Sequence, residues 1–375
     1  MRNKTIGIIL VLFMLFTLPL SVYAAKETKK ENIKKPDKYK VNLDTIDKIL
    51  LNNSSYLKDE NIKRDRLVKE HSSTYSKVNR AIRDDVNNDP AFWDIIASGQ
   101  SKIEELESRL VIGDLSRESN LRKQALTAKH EYLNYIKIQN DIKSTEQKDA
   151  YLQAVNSIAY AKYKKGLISL REYNEQINKQ ADYKADIIQN KNKLLKQYIV
   201  LKKALGLNDI DILEIEPINI SKFENTDKNN LDNDIKTAID RSTAAKVIKE
   251  KIRKTKKTYP VDETAIEDLE KERVGIADNI SKQMKEIKAD LEEADFRIAR
   301  NKTAWDNAKS EVQTAQMRFA RGLLSKSKYD EIKNKNSDFI DNEIKIKMEI
   351  VELNLKYEMI KQGYMGGEMS NGIGE

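Results

Sequence analysis

The chain has no cysteine, and its 375 residues include only 12 glycines and 5 prolines. The missing cysteines exclude disulfide staples and thiolate chemistry. Few helix breakers, with abundant Lys, Glu, Ala, Leu and Ile, favour long helices over sheets. Aromatic residues make up 7% of the chain, low for one large globular core. Catalytic signatures are missing as well: no glycine-rich phosphate loop, nucleophile elbow or triad-like spacing occurs. His71 and His130 are the only histidines and lie far apart, without a clustered carboxylate motif. No catalytic residue, metal ligand or cofactor is therefore assigned, and the chain is not expected to be an enzyme. Its formal charge of +8 comes from interleaved charges of both signs, with no basic block longer than a few residues. That pattern reads as solvated helix faces and does not point to nucleic acid.

One apolar run is present, at the start. Arg2 and Lys4 precede Ile6 to Leu20, and Val22-Tyr23-Ala24 resembles a small-residue cleavage site. Residues 1–24 are expected to be a secretory signal, because a mostly apolar run of fifteen residues is short for a membrane span. No cysteine follows the run, which excludes a lipid-modified cysteine anchor. Residues 25–40 read as a lysine-rich linker. No later segment is apolar enough to span a membrane as a helix. The mature protein is expected to be exported to the cell envelope, with membrane association left open.

The clearest helical pattern runs from about residue 262 to 320. Met284, Leu291, Ile298, Trp305, Val312 and Phe319 recur every seven residues, beside Ile280, Ile287, Ala294, Asn301, Ala308 and Ala315. Alternating spacings of four and three make a heptad seam, with large residues in one row and mostly alanine in the other. After Gly322 a second row follows: Ile332, Phe339, Ile346, Leu353 and Ile360. Residues 262–362 thus read as one long antiparallel hairpin with its tip at Gly322, inside a second repeat that spans 231–362, and 363–375 as a loose tail. The first half repeats the plan over residues 41–207, with an ascending helix from about 116 to 164 and a descending helix over 169–205. Between the halves, 208–230 reads as an extended linker or short edge strand around Ile210, Ile212, Ile215 and Ile218. Nothing else reads as a strand. Trp93 and Trp305 read as packing residues.

The two hairpin ends match. Residues 161–183 and 317–339 are identical at 8 of 23 positions, at an offset of 156. Each contains Gly-Leu-x-Ser and then a tyrosine: Gly166, Leu167, Ser169 and Tyr173 in one, Gly322, Leu323, Ser325 and Tyr329 in the other. The glycine permits the tight turn and the serine can cap the next helix. These residues either only make the turn or also present the leucines to a partner, and the repetition favours docking. Glu172, Glu175 and Glu331 are candidates for lining an entrance. The plainer reading is favourable charge near a helix N-terminus, and Lys328 stands where Glu172 has its counterpart. The two halves also open alike, at Leu43–Lys58 and Leu231–Lys246, but at an offset of 188. The first half therefore carries about 32 extra residues between its opening helix and its tip.

Taken in this order, twice over, the openings, hairpins and Gly-Leu-x-Ser tips resemble the TolC-type outer-membrane efflux proteins. The resemblance covers roughly residues 41–363. It implies an all-α chain of two coiled-coil hairpins, assembled as a homotrimer into a helical tunnel. It also implies tips that dock a periplasmic adaptor serving an inner-membrane pump. One departure matters: the family builds two β-strands into each repeat, and the second repeat has only a short turn around Pro260 in that place. Two other classes compete. A periplasmic adaptor has a similar tip but a single hairpin, and a non-transport coiled-coil scaffold has no use for two matched tips.

Overall fold

In the computed structural model, the described residues are 36–84, 90–218, 230–257 and 261–364. The signal-like segment 1–24 lies outside them. So do the linker up to residue 35, part of the inter-repeat linker and the tail from residue 365. Two strands and eight helices follow: β1 (Lys38–Val41), α1 (Ile46–Asn53), α2 (Ser55–Asp84), α3 (Pro90–Lys164), α4 (Leu170–Ala204), β2 (Ile212–Ile215), α5 (Leu231–Arg241), α6 (Thr243–Lys257), α7 (Glu263–Ala320) and α8 (Lys326–Lys361). The chain is all-α in architecture and built of two long hairpins, α3–α4 and α7–α8, as its heptads and sparse breakers imply.

The four long helices form a layer in the order α4–α3–α8–α7. α3 packs on both α4 and α8, while α8 packs on both α3 and α7. The heptad seam closes the second hairpin: Met284, Leu291, Ala294, Trp305 and Ala308 on α7 are buried, with Ile346 and Ile350 facing them from α8. The alanine row lets the α7 and α8 backbones approach closely. Phe339 departs from its row and is 48% exposed. Trp93, in the first turn of α3, is 55% exposed and not packed as the sequence suggested. A separate cluster joins the repeats: Val41, Leu50, Tyr132, Leu133, Leu201 and Leu205 of the first meet Met348 and Val351 of the second. Buried Tyr132 donates its hydroxyl to the carbonyl of Glu216 at 2.7 Å, and burial pushes its pKa up to about 12.

β1 and β2 pair in parallel, Lys38 opposite Ile212 through Val41 opposite Ile215. β1 corrects the reading of residues 25–40 as linker throughout and of the inter-repeat segment as the one possible strand. Lys-Tyr-Lys-Val carries no strong strand signal of its own. It pairs because Val41 enters the core and its carbonyl accepts from Glu216 N at 3.0 Å.

The opening and ascending helices of each repeat are joined by a helical turn-back. α2 is 30 residues and α6 is 15; α3 is 75 residues and α7 is 58. Five residues separate the helices in both cases. The extra 32 residues of the first repeat thus lengthen both arms of its turn-back. The ascending helix of the first half begins at Pro90, not near 116. Pro90 starts the helix, since proline suits the first helical position. Where Gly99 sits on α3, a Cβ would lie 2.2 Å from Val78 of α2, so the arm is tightly closed there. Lys257, the last residue of α6, reaches Glu104 of α3 at 2.9 Å, and α3 extends beyond that contact to Pro90.

The tail correction concerns Gly363 and Tyr364, which are docked. The Gly363 carbonyl accepts from Thr243 N at 2.9 Å and from Thr243 Oγ1 at 3.0 Å. Tyr364 donates to Glu118 at 2.6 Å and lies under the Arg122 guanidinium. The same joint occurs in the first repeat. Ser54 and Ser242 each break the opening helix and cap the next, accepting from Leu57 N and Ala245 N. Gly206 and Gly363, both at positive φ after the descending helix, seat against those breaks.

Buried Glu343 of α8 accepts from Lys309 of α7 and from Lys347. Burial pushes its carboxyl up, but the two lysines together outweigh that and hold it below the usual range. A depressed folded-state pKa contributes stability that is present above the unfolded value, near 4.3, and lost as pH falls through the folded value. Acid titration below about pH 4.3 should therefore erode hairpin stability. Glu343→Gln should cost about 1 kcal/mol at pH 7 and flatten that acid limb. Urea midpoints measured from pH 3 to 7 check both, and parallel profiles for the two proteins would remove Glu343 from the account.

Candidate functional site at the hairpin tips

Each tip is an α-helix ended by a glycine in the left-handed region, φ +69 at Gly166 and +72 at Gly322. Leu167 N donates back to the Lys162 carbonyl at 2.9 Å and Leu323 N to that of Arg318 at 2.8 Å, which satisfies the last carbonyls of the ascending helices. Ser169 then starts α4. Its hydroxyl accepts from Glu172 N at 3.1 Å, and the Glu172 carboxylate accepts from Ser169 N at 2.7 Å, a reciprocal cap. Ser325 accepts from Lys328 N at 3.2 Å, without the reciprocal half because residue 328 is lysine.

Aromatic stacking closes each tip across the hairpin. Tyr173 stacks on Tyr163 at 5.4 Å and Tyr329 on Phe319 at 5.3 Å, both with rings 8° from parallel. The two tyrosines placed in the site thus brace the turn. Tyr163 and Phe319 complete the brace, and sequence identity missed them because one is Tyr and the other Phe. Leu167 and Leu323 project outward, 68% and 67% exposed. An apolar side chain so placed adds nothing to the turn itself.

The two tips lie side by side. A cleft of about 380 Å³ between them is lined by Val155, Ile158 and Ile168 of the first hairpin and by Ser327 of the second. Glu172, Glu175 and Glu331 line the same cleft. Each is occupied within its own helix. Glu172 caps it, and the Ser169 amide and hydroxyl hold its carboxyl below the usual range. Glu175 pairs with Arg171 at 3.1 Å and Glu331 with Lys328 at 2.8 Å. The histidines are elsewhere and apart: His71 Nε2 is 3.5 Å from Glu107, and His130 Nδ1 is 3.2 Å from Glu352. Among the described residues, no group of three or more His, Asp or Glu side chains is arranged to hold a metal ion.

Neither known family models nor curated proteins match the sequence. Solved structures do. CusC, described with its folding and transmembrane channel formation, superposes with a TM-score of 0.59 at 7% identity, over 86% of this chain and 92% of that one. The Campylobacter jejuni CmeC outer membrane channel gives 0.57 at 10% identity, over 93% and 95%. The Neisseria gonorrhoeae MtrE outer membrane channel, in its open state, gives 0.54 at 10% identity, over 86% and 89%. The fold is therefore the one these TolC-type channels share. Among the described residues, no strand lies between the opening and ascending helices of either repeat, where the resemblance implied two. Five residues join α2 to α3 and five join α6 to α7, fewer than the ~9–11 that one transmembrane strand needs. No described helix is long and apolar enough to cross a membrane.

Proposed function

We propose that this chain is one subunit of a TolC-like efflux or secretion conduit, exported to the cell envelope. It acts as a passive helical tunnel that docks a periplasmic adaptor, and through it a pump, at its tips. The observation that carries the reading is the open-edged layer. α4 has α3 as its one extensive neighbour, and its outer side bears Leu170, Ile177, Ile188, Leu195 and Ile199. At 100° per residue these five fall within about 20° of one line along the helix. Ile188 and Leu195 are 63% and 65% exposed. The opposite edge, α7, exposes Phe296 and Met317. Two different apolar edges on one layer suit a head-to-tail contact, and such contacts close into rings when the rotation permits. Three copies would supply twelve long helices around a central passage, with six tips at one end. At the other end the wall continues as helices in place of strands.

Docking is tested at the leucines. Leu167→Asp with Leu323→Asp should abolish export and adaptor capture and leave helical circular dichroism unchanged, since both side chains are exposed and make no core contact. Export at the wild-type level from that variant would refute tip docking.

A further inference from the structure

The tips carry a charge pattern that the turn does not require. Lys162 and Lys165 of the first tip stand at the same offset of 156 from Arg318 and Arg321 of the second. All four are exposed; Lys162 lines the cleft that Glu172, Glu175 and Glu331 share, and no described ion pair involves any of the four. Lys162 and Arg318 lie in the last turn of an ascending helix, where the helix dipole alone favours a cation. Lys165 and Arg321 come after that helix, against the glycine. Lys326 opens α8, the end where a cation is unfavourable. Glu175 pairs with Arg171 and Glu331 with Lys328, while Glu172 is held by the Ser169 amide and hydroxyl but keeps its charge, and Asp330 stands beside Tyr329. At the first tip Lys162, Lys164, Lys165 and Arg171 outnumber Glu172 and Glu175, and at the second Arg318, Arg321, Lys326 and Lys328 outnumber Asp330 and Glu331, so the balance around each exposed leucine is positive.

We propose that each tip is a cation-flanked leucine knob that receives an acidic segment of a partner protein: the leucine enters an apolar pocket, and the partner's carboxylates pair with Lys162 and Lys165, or with Arg318 and Arg321. The proposal rests on the reading that the tips dock a protein, and adds the charge of that partner. Complementary charge raises the association rate and suppresses wrong partners, and salt weakens it.

The test uses the full chain in cells, with p-benzoylphenylalanine replacing Lys164 as a photo-cross-linker. The cross-linked peptide should carry several Asp or Glu residues beside apolar ones. Lys162→Glu with Lys165→Glu should lower that cross-link yield at least tenfold, and Arg318→Glu with Arg321→Glu should do the same for a cross-linker placed at Ala320, the equivalent position of the second tip. Lys162→Arg with Lys165→Arg should retain it, and unchanged circular dichroism would show that the variants fold. A protein cross-link that survives charge reversal, or that maps to a neutral or basic segment, overturns the acidic partner and leaves tip docking standing. Cross-links to lipid alone, or to nothing, overturn both.

Discussion

Ile188→Glu combined with Leu195→Glu should turn the assembly into monomers. Both residues lie on the apolar line of α4, more than 60% exposed and away from the α3 seam, so the subunit itself should fold as before. In a ring, every contact between subunits would bury two carboxylates against the apolar edge of the neighbour. Each unpaired buried ion costs several kcal/mol, and each apolar side chain withdrawn from the interface forfeits roughly 1.5–3 kcal/mol. Summed over a closed ring, that exceeds what a standard interface supplies. Sedimentation should give three times the subunit mass for the wild type and the subunit mass for the variant, with equal helicity. Lys193→Glu, on the opposite side of α4, is the control and should assemble normally. A wild type that sediments as a monomer at micromolar concentration would remove the ring from the proposal. A double variant that assembles normally would move the contact off this edge.

Gly363→Ala should cost on the order of 3 kcal/mol, far more than the same change at a tip. The residue has φ +86, and an added Cβ would lie 2.3 Å from the Arg241 carbonyl oxygen and 2.8 Å from Ser242 N. Those atoms are backbone at a helix break and cannot step aside as a side chain would. Left-handed strain contributes about 1 kcal/mol, and forcing apart the joint of α5, α6 and α8 supplies the rest. At Gly206 the nearest backbone atom is Asn53 O at 3.1 Å, so about 1–2 kcal/mol is expected there. At Gly322 nothing lies within 4 Å and only the conformational cost of about 1 kcal/mol applies. Urea midpoints should fall in the order Gly363, Gly206, Gly322. Equal losses at all three would mean that close approach is not what these glycines serve.

The parts of this fold legible in the sequence are those held by local repetition. The seam from Met284 to Ala315 announces itself every seven residues, and it is buried because a helix with such a stripe must cover it. The tips are legible because the turn demands glycine and the cap demands serine in both copies. What stayed hidden depends on contacts distant in sequence. β1 exists only because β2 lies beside it. The first turns of α3 carry Trp93 and Ile95 exposed, so no clean apolar period marks them. The seating of Gly363 on Arg241 joins residues more than a hundred positions apart, and a glycine at a helix end reads equally well as a stop before a loose tail. At the candidate site, identity picked out glycine, leucine and serine. It passed over the Tyr163 and Phe319 brace and the Lys/Arg pairs, where chemistry recurs and the letter does not. Glu172, Glu175 and Glu331 do meet in one cleft, but each is engaged by a neighbour on its own helix.

The unequal turn-backs have a further consequence. α3 runs 14 residues past the level at which Lys257 ends α6, roughly 20 Å of helix at 1.5 Å per residue. In a threefold ring, tall and short helical pairs would alternate around the end far from the tips. That rim would be crenellated, with three notches between three towers. Cargo leaving such a passage could pass sideways through the notches as well as straight out, so an object capping the towers would not seal the exit.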